Sequence, residues 1–257
     1  MRHIIIHYHI FKNAGTTIDG ILEKNFGTQC GYIEGANPWD TLESDLILKY
    51  AMDNPQLKSI SSHQARLPIP VSQDISFHPI LFLRHPIDRI GSVYYFERNQ
   101  PVDSPSLGAK IARELGIVEY VKWRLEKGNG SVVKNFQTIY LAGRQHDMRS
   151  AVATDQDLQL AIERISLSPN FGVVEYFNES ITRIGKYLSQ YFGPVDMRYS
   201  IKNRSNERKA VVQARLDDME AVLGRNLFTR LIDENDMDMQ LYETSLRLFS
   251  RKAQGEW

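Results

Sequence analysis

Short apolar runs alternate with amphipathic segments along the first hundred residues. Residues 4–6 are three isoleucines, a β-branched run that is typical of a buried strand. The run gives way at FKNAGTT to apolar residues at helical spacing from Ile18 to Phe26, and Gly27 follows where a helix would end. The pattern therefore predicts a strand, a glycine-containing turn and a helix.

The alternation continues to residue 100. A helical stretch over 42–52 precedes an apolar run at 57–62, and a further run at 80–83 leads into RHPIDRIGSVYYF, where Pro86 suits the first turn of a helix. Strands that alternate with helices form parallel sheets with right-handed crossovers. We therefore predict an open sheet whose ligands bind at the carboxyl ends of the strands.

Helical patterns dominate after residue 100. They cover 117–126, 155–165, 179–192 and 211–223, and a further strand is predicted at 171–175. No internal repeat or linker divides the chain, so we expect one domain over 1–257. The predicted fold class is α/β: a P-loop-like open parallel sheet flanked by helices, with a helix-rich C-terminal half.

Composition and charge limit the kinds of molecule that this protein is expected to bind. The chain has 42% hydrophobic and 24% charged residues, as a globular protein does, and its 31 Lys and Arg balance 31 Asp and Glu. Without a net field we expect no nucleic-acid partner, and any anion site must be local. A single cysteine, Cys30, excludes an intrachain disulfide, and no apolar run approaches the roughly 18 residues of a membrane span. We therefore predict a cytoplasmic protein.

The FKNAGTT loop (residues 11–17) has the composition of an anion site. Ala14 and Gly15 allow the backbone to approach a ligand, and the first amides of the following helix lack partners within the helix. Lys12 adds a full charge, while Thr16 and Thr17 add hydroxyl donors. An ordinary strand-to-helix turn with a Thr N-cap and a solvated Lys12 is the competing interpretation.

The third predicted strand, at 80–83, is followed by arginine rather than by the aspartate that holds magnesium in P-loop NTPases. Arg84 in ILFLRHP could donate two parallel hydrogen bonds from its guanidinium to a second phosphate, and Ser92, eight residues later, could add a hydroxyl. A structural salt bridge with Asp88 is the alternative. The FKNAGTT loop also lacks the Walker A spacing, which argues against a P-loop-type nucleotide kinase.

Together, FKNAGTT and FLRHPIDRIGSVYYF resemble the two nucleotide-binding signatures of sulfotransferases that use 3′-phosphoadenosine 5′-phosphosulfate (PAPS), and the carbohydrate type related to heparan sulfate 2-O-sulfotransferases and bacterial relatives is the most similar. The resemblance continues through NFQTIYLAG and FGVVEYFNESI and covers about residues 4–181. His85 stands where many members carry Asp. The resemblance implies that the 5′-phosphosulfate is contacted by Lys12, Asn13, Ala14, Gly15, Thr16 and Thr17, and the 3′-phosphate by Arg84 and Ser92.

The resemblance also implies the reaction. Sulfuryl transfer to a carbohydrate or glycoconjugate hydroxyl depends on positioning and charge neutralisation, so we expect no metal requirement. Lys12 is the candidate for stabilising the leaving oxygen. His63, in SSHQARL after the second predicted strand, is the candidate base, and the ordinary histidine pKa of about 6.5 suits that role. The alternative bases are His7, His9, Glu34 and Glu175.

A basic segment at 200–209, SIKNRSNERK, contains Lys202 and Arg204. It resembles the basic loop that closes over the nucleotide in similar enzymes, which makes both residues nucleotide-binding candidates. A solvated helix N-terminus is the competing interpretation. A noncatalytic nucleotide- or glycan-binding module is the remaining alternative for the chain as a whole.

Overall fold

One parallel sheet forms the centre of the molecule. In the computed structural model, described for residues 1–37, 40–130, 132–144, 152–168, 170–199 and 211–253, the strands are β1 (Arg2–Tyr8), β2 (Cys30–Tyr32), β3 (Ser59–Ser62), β4 (Ile75–Leu83) and β5 (Phe171–Val173). Their order in the sheet is β2-β3-β1-β4-β5, and every neighbouring pair is parallel. The predicted open parallel sheet is confirmed.

Helices account for most of the remaining structure, as the C-terminal pattern predicted. The α-helices of the described residues are α1 (Gly15–Phe26), α2 (Ser44–Asp53), α3 (Pro86–Arg98), α4 (Leu107–Glu114), α5 (Ile117–Leu125), α6 (Phe136–Leu141), α7 (Asp155–Leu167), α8 (Phe177–Phe192), α9 (Val212–Leu223), α10 (Arg225–Asp233) and α11 (Asp236–Ala253).

Some elements differ from the sequence prediction. The strand predicted at 171–175 ends at Val173, and residues 174–176 form a 3-10 turn, so Glu175 does not end a strand. The pattern did not predict β2, α4, α6, α10 or α11. Strand β2 has three residues with a glycine at its centre, and α6 has six, so neither is long enough to show a period.

Helices cover both faces of the sheet, which explains why residues 4–6 are all apolar. Successive strand side chains point to opposite faces. Ile5 packs with α1 and α8 on one face, whereas Ile4 and Ile6 pack with α2, α6, α7 and α11 on the other. A third apolar cluster joins α3, α4, α5, α9 and α10.

The register of the sheet aligns the carboxyl ends of its central strands. Tyr8, at the end of β1, pairs with Ser62 of β3 on one side and with Leu81 of β4 on the other. The FKNAGTT loop therefore leaves the sheet between the residues that follow β3 and β4. Those residues are His63 and Arg84.

Two expectations concern the chain as a whole. Among the described residues, no helix has both the length and the apolar character that crossing a membrane requires. The single domain over 1–257 stays a prediction.

Candidate functional site

The FKNAGTT loop is held in a conformation that few side chains adopt. Lys12 and Ala14 have φ angles of 66° and 65°, in the left-handed region where a Cβ is crowded. Between them, the buried Asn13 turns inward, and its Nδ2 donates to Phe82 O and to Gln137 Oε1, both at 2.7 Å. Because the Asn13 amide makes these internal bonds, its side chain anchors the loop to β4 and α6.

Helix α1 begins at Gly15 with Ala14 as N-cap, and no side chain caps it. Thr16 and Thr17 therefore lie inside the first turn, which differs from the alternative of a Thr N-cap. Both threonines line a cleft of 540 Å³ whose other walls are Gly20, Ile21, Lys24, Arg198 and Tyr199. An uncapped helix N-terminus with two hydroxyls beside a cleft can bind an anion.

Gly15 is required where it stands because the imidazole of His9 occupies the space of a side chain. A Cβ at this position would overlap the His9 ring. We expect Gly15→Ala to lower the free energy of unfolding by about 1–3 kcal/mol, measured by urea denaturation, as in other overpacked sites. Gly116→Ala is the matched control, since its Cβ would meet nothing within 4 Å. Equal stability of the two variants would contradict this account of Gly15.

Lys12 lies half-buried at the mouth of the site. Its Nζ is 4.5 Å from the ring centroid of Phe96, which is itself exposed. Burial first, and then the charge of Arg84, lower the pKa of Lys12 to about 8. The ammonium is therefore cationic at neutral pH yet incompletely solvated, and an arriving anion would stabilise it.

Arg84 is buried directly behind the loop. Its Nε donates to Asp88 Oδ2 at 2.8 Å, and its Nη1 donates to the carbonyl of Lys12 at 2.8 Å. Within the described residues its buried Nη2 has no hydrogen-bond partner. The salt bridge considered as an alternative is thus present, and Nη2 is the one nitrogen of the same guanidinium that binds none of the described residues. Asp88 also pairs with Arg215 of α9, at 2.7 Å.

Gln137 is a site residue that the sequence analysis missed. It is fully buried in α6 and binds the backbone of Arg84 on both sides: its Oε1 accepts from Arg84 N at 3.0 Å, and its Nε2 donates to Arg84 O at 2.9 Å. Since it also binds Asn13, it fixes the FKNAGTT loop relative to Arg84. The motif NFQTIYLAG contains it, but no local pattern indicates contacts 53 and 124 residues away.

His63 follows β3 and faces solvent, with 52% of its side chain exposed. Its Nδ1 lies 2.9 Å from Glu34 Oε1, which also accepts from the His63 backbone N–H at 2.8 Å. Burial alone would raise the pKa of Glu34, but these donors hold it below its ordinary value. Because a carboxylate only accepts, Nδ1 carries the proton and Nε2 is left to accept one.

Glu175 lies on the other side of Arg84, next to β4 rather than β3. Its Oε1 accepts from the backbone N–H of His85 at 3.0 Å, and burial raises its pKa. The imidazole of His85 is half-buried, as Glu175 is, and burial is the first cause that lowers its pKa to about 4. Ser92 is half-buried in α3, one helical turn beyond Asp88.

His7 and His9 are both bound to Asp19, a residue that the sequence analysis did not single out. Their Nδ1 atoms lie 2.7 and 2.9 Å from the two carboxylate oxygens. The alternation of His7 and His9 along β1 is the signal that could have placed them on one face. Across the described ranges, His7, His9 and Asp19 are the three residues of metal-ligating types whose ligand atoms all lie within 4.8 Å of one another.

The basic segment at 200–209 lies outside the described residues, so Lys202 and Arg204 remain nucleotide-binding predictions. Tyr199, the last described residue before this segment, lines the 540 Å³ cleft together with Thr16.

The fold belongs to the open parallel α/β class, and its cationic loop, uncapped helix N-terminus and buried arginine at the carboxyl ends of the strands form an arrangement that can hold an anion. The model of the sulfotransferase family matches residues 1–243, and the chain belongs to that family. The resemblance to sulfotransferases is thereby confirmed. The chain is also 32% identical over 253 residues to an uncharacterized protein of Archaeoglobus fulgidus, covering 96% of this chain and 98% of that protein.

Proposed function

We propose that this sulfotransferase moves the sulfuryl group of PAPS to a hydroxyl of a carbohydrate or glycoconjugate and releases adenosine 3′,5′-bisphosphate. One observation carries the proposal. His63, the FKNAGTT loop with Lys12, and Arg84 follow three adjacent parallel strands, β3, β1 and β4, and share one edge of the sheet. This order supports the proposal, because it sets the candidate base, the candidate anion site and a second cation side by side.

The described donors fit a doubly phosphorylated nucleotide. The uncapped start of α1, with Thr16 and Thr17, suits the 5′-phosphosulfate, while the Arg84 Nη2 without a partner, together with Ser92, suits the 3′-phosphate. The inward position of the Asn13 side chain leaves the loop backbone, Lys12 and the threonines as the ligands on the 5′ side. Lys202 and Arg204 stay in the proposal as residues of a closing segment.

His63 accepts the proton of the acceptor hydroxyl at Nε2 while its Nδ1–H is held by Glu34. The acceptor oxygen forms a bond to sulfur as the bond from sulfur to the bridging phosphate oxygen breaks. Lys12 stabilises the negative charge that develops on that bridging oxygen. Protons and charge balance without a metal ion, and independence of metal ions remains a prediction.

A sugar acceptor is supported by the aromatic surface next to Lys12. Phe96 is 40% exposed, its ring centroid lies 4.5 Å from Lys12 Nζ, and its ring meets Phe11 edge-on at 5.2 Å. An exposed aromatic face beside the transferring group offers an apolar surface to the C–H face of a sugar ring. The cytoplasmic location expected from the sequence stays a prediction.

Thermal unfolding with added nucleotides tests the donor site. Adenosine 3′,5′-bisphosphate at about 100 times its Kd is expected to stabilise the protein by about 2.7 kcal/mol, whereas ATP with Mg²⁺ gives a smaller shift. Adenosine 5′-phosphate is the matched control for the 3′-phosphate. A larger shift with ATP and Mg²⁺ would favour a kinase.

Transfer of radiolabelled sulfate from PAPS to a panel of glycans tests the activity itself. Labelled glycan is the expected product. Bisphosphate binding without transfer to any member of a broad panel, which includes glycolipids and phenols, would identify a noncatalytic module. Labelling of phenols alone would contradict the carbohydrate acceptor and leave sulfuryl transfer in place.

A further inference from the structure

Three imidazoles stack beside the FKNAGTT loop. His7 and His9 leave the same side of β1, and their ring centroids lie 5.1 Å apart at an interplanar angle of 25°. The ring of His63 lies on the outer face of His9, with centroids 3.8 Å apart and an angle of 27°. The exposed His63 therefore rests on a buried ring, and its orientation depends on where that ring is held.

Asp19 holds the two inner rings. It lies one helical turn after Gly15 in α1, and its Oδ2 is 2.9 Å from His9 Nδ1. Its Oδ1 is 2.7 Å from His7 Nδ1 and also accepts from the Ser61 hydroxyl at 2.7 Å. Both carboxylate oxygens are therefore engaged, and the carboxylate fixes the plane of each ring.

The protonation states agree with this geometry. Burial raises the pKa of Asp19, but the N–H donors of His7 and His9 outweigh it and hold that pKa well below its ordinary value. Burial is also the main cause that lowers the pKa of His9 to about 4, so its ring is neutral near pH 7. A neutral ring whose Nδ1–H points at a carboxylate has one tautomer and one orientation.

We propose that Asp19 is a positioning residue for the base: it fixes the ring of His9, and that ring holds the face of His63 while Glu34 holds its edge. This inference rests on the proposed function, because it assigns Asp19 to a reaction in which His63 takes the proton. Both oxygens of Asp19 are bound to His7 and His9, so Asp19 is assigned no contact with donor or acceptor. Its effect reaches the reaction through the His9 and His63 rings.

The same three groups could in principle hold a divalent cation, and the distances distinguish the two cases. A tetrahedral zinc site with bonds of about 2.0–2.1 Å separates its ligand atoms by about 3.3 Å. The separations between Asp19 oxygens and the two Nδ1 atoms are 2.7 and 2.9 Å, as in hydrogen bonds. The structure therefore favours a clamp of hydrogen bonds.

A double-mutant cycle in the full chain tests the proposal. Asp19→Asn is expected to lower kcat by about 10–100-fold, with the KM for PAPS and the Kd for the bisphosphate changed less than about threefold. In the His63→Ala background, Asp19→Asn is expected to cause no further loss. Glu23→Gln on the same helix, whose carboxylate accepts from the exposed Tyr32 hydroxyl, is the matched control with full activity.

Several results would overturn the proposal. These are losses that multiply in the double variant, a rise in KM without a fall in kcat, or a stoichiometric metal ion that wild type holds and Asp19→Asn loses. Should Asp19→Asn fail to fold, His9→Ala enters the same cycle with the same expectations. Absence of sulfate transfer by the wild type, or full turnover by His63→Ala alone, would instead refute the proposed function.

Imidazole nitrogen NMR of the bisphosphate-bound protein gives a readout that does not need activity. In the wild type both His7 and His9 are expected to carry the Nδ1–H tautomer, because each ring binds its own oxygen of Asp19. Asparagine offers one acceptor oxygen and an NH2 group that only donates, so at least one of the two rings is expected to lose or exchange that tautomer in Asp19→Asn. Retention of the single Nδ1–H tautomer by both rings in the variant would contradict the clamp.

Discussion

Replacement of His63 by alanine is expected to lower kcat by about 10²–10⁴-fold, the usual contribution of a positioned general base. His63 lies at the carboxyl end of β3, with Nδ1 on Glu34 and its ring on His9. These contacts leave Nε2 for the acceptor proton. Single-turnover transfer of labelled sulfate at saturating PAPS measures the effect on the chemical step.

Nucleotide binding by His63→Ala shows whether a loss of activity comes from the chemical step or from misfolding. His63 reaches the loop side of the site by stacking on His9, and it is not among the residues proposed to bind the nucleotide, so His63→Ala should keep the thermal shift with adenosine 3′,5′-bisphosphate. His3→Ala is the matched control, because His3 lies near the start of β1, where the amino ends of the strands lie, away from the candidate site. Wild-type turnover in His63→Ala would remove this residue from the mechanism and turn attention to Glu175.

Replacement of Lys12 by methionine should lower kcat by about 10²–10³-fold, the cost of losing a preorganised charge at a developing anion. The substitution keeps an unbranched side chain against Phe96, so the apolar contact stays and the ammonium is lost. Methionine carries a Cβ as lysine does, so the φ angle of 66° at this position costs both residues about the same strain. A variant that binds the bisphosphate tenfold more weakly but transfers sulfate at the wild-type kcat would contradict this role.

The pH dependence of kcat/KM provides a control for the charge. Burial and the neighbouring Arg84 lower the pKa of Lys12 to about 8 in the free protein. The cation is therefore present below pH 8 and is lost as the pH rises through that value, and kcat/KM should fall with it. In Lys12→Arg, whose guanidinium stays charged, the fall above pH 8 should disappear even if the maximal rate is lower.

Local pattern predicted four of the five described strands and seven of the described helices, and it singled out three positions of the candidate site. The β-branched run 4–6, the turn FKNAGTT and the helical spacing after it each report on a few consecutive residues, and so does the apolar run before Arg84. Once strands are known to be parallel, their carboxyl ends share an edge. That rule alone brings the loop, His63 and Arg84 together, and the structure has them there.

The local sequence pattern did not predict the hydrogen-bond and ion-pair partners of those residues. Gln137 binds the backbone of Arg84 from 53 residues away, and Arg215 reaches Asp88 from 127 residues away. Asp19 is close to His9 in sequence, yet its role depends on how α1 packs against β1. Periodicity reports which side of an element is buried but carries no information on which polar group it meets.

The sequence by itself thus determined the α/β class and the family, since each rests on local spacing or on a contiguous motif, and it supplied the prediction of which residues meet a charged donor. Only the tertiary structure decided that Asn13 faces inward, that Ala14 rather than a threonine occupies the N-cap position of α1, and that Arg84 shares its guanidinium between Asp88 and the loop. The physical reason is that buried polar groups take the partners that packing brings to them, and packing joins distant parts of the chain.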